Sequence, residues 1–196
     1  MKRYKILFTV LTLFLGSYLA QAQNKYEREH RIKKCQFHSN AHAFLEEKLK
    51  DARRIRFYKE TDSTKVSFEA KFKKDKLQYS VEFDKEGNLE DIEILINEVD
   101  IPEDTWSTIS YYFQEEFEKY KVKRIQQQYV AIEQESVDVT LNNAFQNLLL
   151  PSVNYEIMVA GKTKSIYEDF EILFSADGTF VNRRKSLPAN YDHVLY

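Results

Sequence analysis

The chain has 196 residues, with 29 Lys+Arg against 31 Asp+Glu, four Gly, three Pro and a single Cys. Without a basic excess it has no means of displacing the counterions of a nucleic acid, and the scarcity of Gly and Pro excludes a long disordered linker. One thiol cannot close an internal disulfide, so the fold must rest on its apolar core, to which 13 Tyr and 14 Phe contribute.

Lys2, Arg3 and Lys5 open the chain, followed by an apolar run from Ile6 to Leu15 broken only by Thr9 and Thr12. Ala20-Gln21-Ala22 then offers the small-x-small site of a signal peptidase. The apolar part stops at Leu19, short of the roughly 20 residues a membrane span needs. Residues 1–22 are therefore expected to be a signal peptide cleaved after Ala22, and no cysteine follows closely enough to be lipidated. Losing Lys2, Arg3 and Lys5 lowers the basic count from 29 to 26 against 31 acidic residues. The expected product is an acidic, soluble periplasmic or secreted protein, with neither membrane nor nucleic acid as partner.

After a charged leader from Lys25 to Lys34, the segment from Asn40 to Ala52 carries Ala41, Phe44, Leu45, Leu49 and Ala52 at three- and four-residue steps. That spacing predicts an amphipathic helix capped by Ser39 or Asn40. The period then falls to two. Ile55 and Phe57 open a short strand; Val66 to Phe72, Leu77 to Phe83 and Ile92 to Ile96 alternate apolar with polar residues. Such alternation predicts antiparallel strands with one face buried and one in water. Asp84-Lys85-Glu86-Gly87-Asn88 reads as a turn with glycine at a left-handed position, and Leu89, out of phase with Ile92, predicts a bulge near Glu90.

The plan then recurs. Pro102-Glu103-Asp104 starts a second helix, with Trp106, Ile109, Phe113, Phe117 and Tyr120 on one face. Strands are predicted over 125–132, 155–159, 166–174 and 180–184. Tyr79-x-Val81-x-Phe83-x-x-x-Gly87 matches Phe170-x-Ile172-x-Phe174-x-x-x-Gly178, and Arg53-Arg54-Ile55 matches Lys123-Arg124-Ile125. The differing offsets place an insertion between Ile132 and Tyr155, where an extra short helix is expected near 138–150. The expected fold is α+β: a tandem repeat of helix plus four-stranded antiparallel meander, one unit over 23–98 and a second over 99–196.

The run from Lys76 to Leu89, with its Tyr-x-Val-x-Phe strand entering an Asp/Gly turn, resembles the PepSY-like, β-lactamase-inhibitor-like proteins of bacterial envelopes, and Tyr155-Glu156-Ile157 with Phe170 to Gly178 resembles the same pattern. The resemblance covers residues 43–96 and, more loosely, 106–185. It implies a tandem α+β fold, export and a protein- or peptide-binding role, and it carries no catalytic residues.

Cys35, His38 and His42 have a spacing suited to a metal if they lie on one continuous helix. The cap at Ser39–Asn40 interrupts that helix and no fourth ligand is evident, so no metal, cofactor or catalytic residue is assigned; a metal-dependent enzyme built on these three residues stands as an alternative, as does a structural envelope protein without a ligand. No Gly-x-Ser-x-Gly elbow or phosphate-cradling loop is present. The outward sheet face is the better candidate, presenting Glu69, Lys71, Gln78 and Glu82 in the first copy and Met158 and Leu173 in the second. Two alternatives stay open for it: a surface for an unknown protein or peptide in the envelope, or a face covered by the inserted helix. Arg53, Arg54 and Arg56 read either as an anionic contact or as solvated charge that discourages strand pairing.

Overall fold

The computed structural model describes residues 23–186 except 26, 63–64, 133–135 and 165; the expected signal peptide and His193 lie outside them. In chain order the elements are β1 (Gln23–Lys25), β2 (Glu27–Ile32), α1 (Ser39–Leu45), β3 (Arg53–Asp62), β4 (Lys65–Lys74), β5 (Leu77–Asp84), β6 (Leu89–Ile96), α2 (Glu103–Glu116), β7 (Lys119–Val130), α3 (Val137–Phe145), β8 (Asn154–Thr163), β9 (Ile166–Ser175) and β10 (Phe180–Ser186). They make one ten-stranded sheet ordered β1-β10-β9-β8-β7-β6-β5-β4-β3-β2. Strands β2 to β10 are antiparallel throughout, and β1 joins β10 in parallel. Pairing of Asp91–Ile96 with Ile125–Val130 carries the sheet unbroken from β6 to β7.

Strands β1 and β2 stand one residue apart in the chain yet pair with opposite ends of the sheet: Lys25 lies beside Ser186 and Glu27 beside Asp62. A trans peptide spans only about 3.8 Å between Cα atoms, so the sheet must curl until its two ends are bridged by this segment. The apolar face lies outside the curl and the helices cover it. Ala41 and Leu45 of α1, Ile109 and Phe113 of α2, and Leu141 and Ala144 of α3 are buried with Val81, Phe83, Ile92, Ile94, Ile157, Ile172 and Phe174.

Each helix is seated by aromatic contacts. Phe113 sits among Tyr120, Phe174 and Phe117 at 5.1, 5.6 and 6.4 Å between ring centroids. Phe145 of α3 stacks on Tyr79 at 4.8 Å. Gln127 is a polar side chain in this apolar layer; its Nε2 donates to the Leu148 carbonyl at 3.4 Å, and the Tyr129 hydroxyl donates to the same carbonyl at 3.0 Å. The segment leaving α3 is therefore tied down by polar groups that would otherwise be buried unsatisfied.

Gly87 and Gly178 take φ of +83° and +84°, as the turn positions require. A Cβ at Gly87 would stand 2.2 Å from His38 Nδ1, and one at Gly178 would stand 2.7 Å from the Thr105 carbonyl. Each turn glycine thus lets a hairpin press against the start of the helix that covers it. The bulge expected near Glu90 is present: Phe83 pairs with Leu89 and Glu82 with Asp91, leaving Glu90 as the extra residue.

Several expectations change. The second helix, expected to carry its apolar face through Tyr120, ends at Glu116, and Tyr120 lies in β7, which opens at Lys119. The charged leader is strand β2 over Glu27–Ile32, which pairs with β3. The first helix ends at Leu45 instead of Ala52, giving way to turns that finish at Asp51 with φ +64°; Lys74 Nζ donates to the carbonyls of Lys48 and Lys50 there, supplying partners a continued helix would not need. Finally, the polar sheet face is not simply in water, because the curl encloses it: Ser67, Glu69, Ser80, Glu93, Gln126, Glu156 and Glu171 are all buried.

Candidate functional site

Strand alternation sends Glu69, Lys71, Gln78, Glu82, Met158 and Leu173 to one side of the sheet. Their registers show it: Glu69 faces Glu82, Lys71 faces Ser80, Met158 faces Glu171 and Leu173 faces Glu156. All six lie on the concave face. The inserted helix packs on the other face, through Phe145 against Tyr79 and Phe72. The alternative in which it covers the polar face is thereby corrected, and the reason is its apolar stripe of Leu141, Ala144 and Phe145, which matches the apolar side of the sheet.

Side chains from strands far apart in the sheet meet inside the curl. A cavity of about 220 Å³ is lined by Glu29 of β2, Glu69 of β4, Gln126 of β7, Glu156 of β8 and Arg184 of β10, among others. Lys71 Nζ holds Glu69 at 2.8 Å and Glu29 at 3.0 Å. Burial works against the Lys71 ammonium, but these two carboxylates overcome it and keep its pKa above the ordinary lysine value. Ser80 Oγ donates to Glu69, and Gln126 Nε2 donates to Glu93. Gln128 Nε2 donates to Asp91 Oδ2 at 3.0 Å, while Asn154 Nδ2 donates to Gln128 Oε1 at 3.2 Å. Arg184 pairs with Glu171.

The carboxylates outnumber the cations here, and their pKa values record it. Burial first, then the charges of Glu82 and Glu156, pushes Asp91 well above the usual carboxyl range. Burial, then Glu156 and Asp91, does the same to Glu93, against a smaller opposing pull from Arg124. Acceptors outnumber donors here: the Asp91 carboxylate oxygen Oδ1 and the Gln126 amide oxygen Oε1 are buried and accept no hydrogen bond from the described residues.

Toward the β4–β5 hairpin the sign of the face reverses. A second cavity, of about 300 Å³, is lined by Arg54, Arg56, Lys71, Lys73 and Arg124, with Tyr58 and Leu95 as apolar walls and no carboxylate in its lining. The concave face therefore carries an acidic interior and a basic mouth.

Cys35, His38 and His42 do not converge. Cys35 is exposed, and with His42 it lines a shallow groove on the helical side to which His38 does not contribute; His38 turns instead toward Gly87 and Phe68. Among the described residues the one group of three potential donors within 4.8 Å of each other is Glu29, Glu60 and Glu69, at which Lys71 already sits. Sequence reasoning missed Glu93, Gln126, Arg124 and the mouth as a unit. Their alternation placed them on the polar face, but the curl that gathers them depends on pairing between sequence-distant strands.

The helices outside and the antiparallel sheet with its polar face turned inward can be compared with solved structures. A BLIP-like protein from Bacteroides fragilis superposes with a TM-score of 0.50 at 14% identity, covering 80% of this chain and 92% of the other. The fold is BLIP-like. A DUF2874 family protein from Bacteroides ovatus gives a TM-score of 0.52 at 8% identity over 76% of this chain and 87% of that one. A protein from Bacteroides eggerthii, described provisionally as periplasmic, gives 0.51 at 12% identity, covering 76% and 88% of the two chains. No protein-family profile matches the sequence, and no curated protein matches it.

Proposed function

We propose that this protein works in the bacterial envelope by contact: its concave sheet face receives a protein or peptide, in the manner of an inhibitor, with no chemistry performed on it. The observation that carries this reading is that all three helices pack on the apolar side, so that among the described residues no helix covers the concave face, on which Leu95 is 37% exposed and Met158 and Leu173 are half-buried. A concave surface mixing charged groups with apolar side chains suits recognition of another chain. The signal-peptide pattern of residues 1–22 and the BLIP-like fold, shared with the provisionally periplasmic protein, support the location. We read the order α1-β3-β4-β5-β6 and α2-β7-α3-β8-β9-β10 as one helix-plus-meander plan used twice, with α3 inserted.

The test is site-specific photocrosslinking in cells. A crosslinker at Gln78 or Leu173 should capture a discrete partner, and one at Tyr111, 65% exposed on α2, should not. Equal capture from Tyr111, or none from the concave positions, refutes the reading.

A further inference from the structure

The basic mouth is built against its own local preferences, and that is what distinguishes it from ordinary surface charge. Strand β3 slips register between Arg53 and Arg56, so that Arg54 and Ile55 oppose the single residue Phe72. Arg54 takes φ +57° at this bulge, a left-handed backbone that costs a residue with a Cβ and is ordinarily left to glycine. The slip also sets Arg53 opposite Lys73 and Arg56 opposite Lys71, like charges in directly facing positions, which weakens a strand pair. Among the described residues, no carboxylate forms an ion pair with Arg54, Arg56 or Lys73. A bulge re-aims side chains, and here it helps bring Arg54 and Arg56 to a cavity whose other cations, Lys73, Lys71 and Arg124, come from β4 and β7. Tyr58 and Leu95 give that cavity an apolar wall beside its charge.

We propose that this mouth is a binding site for an organic carboxylate: an oxyanion held by Arg54, Arg56, Lys73 and Arg124, with a flat apolar body against Tyr58 and Leu95. The oxyanion relieves the repulsion among the cations, and guanidinium groups engage it through charge-assisted, bidentate hydrogen bonds. The acidic interior sets the orientation, since it repels the anion and keeps the charged end at the mouth. The proposal rests on the concave face being a binding surface, and it names what that surface takes.

Isothermal titration of the mature protein with benzoate at low salt tests it, because it needs no partner. The expected result is saturable binding that weakens as salt rises and falls about tenfold or more in Arg54→Gly and in Arg56→Gln. Arg54→Gly removes the charge while suiting the positive φ, so its melting temperature should equal or exceed the parent's, and lost binding cannot be ascribed to misfolding. Arg183→Gln, which removes a guanidinium paired with Glu116, should bind as the parent does. A short peptide carrying Glu beside Phe separates the two sources: displacement of benzoate by the peptide assigns the carboxylate to a partner chain, and binding of benzoate alone assigns it to a free acid. No saturable benzoate binding, or equal binding in the two variants, overturns the site. If crosslinking from Leu173 persists in that case, the partner surface stands without it; benzoate binding with no crosslinking has the opposite meaning.

Discussion

Gly161 lies within strand β8, two residues before its end, where glycine is ordinarily a weakness, and replacing it with alanine tests why it is there. The backbone effect alone favours alanine by roughly 0.5–1 kcal/mol, because glycine loses more freedom on folding. Packing acts the other way. A Cβ at Gly161 would stand 2.4 Å from the ring of Phe117, about 1 Å inside ordinary van der Waals contact. The ring has little room to retreat: it is 96% buried at the end of α2, with Phe170 at 5.4 Å and Phe113 at 6.4 Å between centroids. Overpacking of this kind costs about 1–3 kcal/mol. Gly161→Ala should therefore destabilise by about 1 kcal/mol net of the backbone gain, lowering the melting temperature by about 2–4 °C for a chain of this size. Urea denaturation followed by circular dichroism measures it. The double variant with Phe117→Leu should recover part of the loss, giving a favourable coupling of at least ~0.5 kcal/mol in the cycle. If Gly161→Ala is neutral or stabilising, the close approach of α2 to β8 does not hold the reason for the glycine.

Two further outcomes follow from the core and the concave face. Phe113→Ala empties a fully buried site ringed by aromatic groups on α2, β7 and β9, so unfolding free energy should fall by about 3–5 kcal/mol; a loss below about 1.5 kcal/mol would mean that the rings collapse into the space. The raised pKa of Glu93 means that the folded state holds its proton more tightly than the unfolded chain does. Its contribution is thus fully present below the unfolded value near 4.5 and is lost as pH rises through the folded value. Glu93→Gln should accordingly gain stability over the parent at neutral pH and show no gain at about pH 4; an equal difference at both pH values would refute the uncompensated charge.

How much of this could be read from the residues depends on the distance over which each feature is determined. The hairpin turns at Gly87 and Gly178, the bulge at Glu90 and the helical face from Trp106 to Phe113 are local, set by spacing and by the need for a left-handed backbone, and each was legible. The end of α1 at Leu45 was not, because Leu49 and Ala52 continue the helical period and only the tie from Lys74 marks the break. Alternation assigned Glu69, Lys71, Gln78, Glu82, Met158 and Leu173 to one face, yet it treated that face as open water. Burial of Glu93, Gln126 and Glu156 arises from curvature, and curvature is set by which strands become neighbours. Residues 27–32 show the same limit: their composition is that of a solvated leader, and only β3 makes them a strand.

The bridge made by β1 and β2 also covers the outer margins of two longer strands. An unpaired outer strand is a template for association with another chain, and β3 and β10 are both long enough to serve. The segment from Gln23 to Ile32 occupies both at once. Trimming the chain to begin at Lys33 would bare two sticky margins in one step, and they would be complementary in position on every molecule. Such a truncated protein should elute as oligomers that grow with concentration. The short, charged segment from 23 to 32 would then be what shields these two longer margins from other copies.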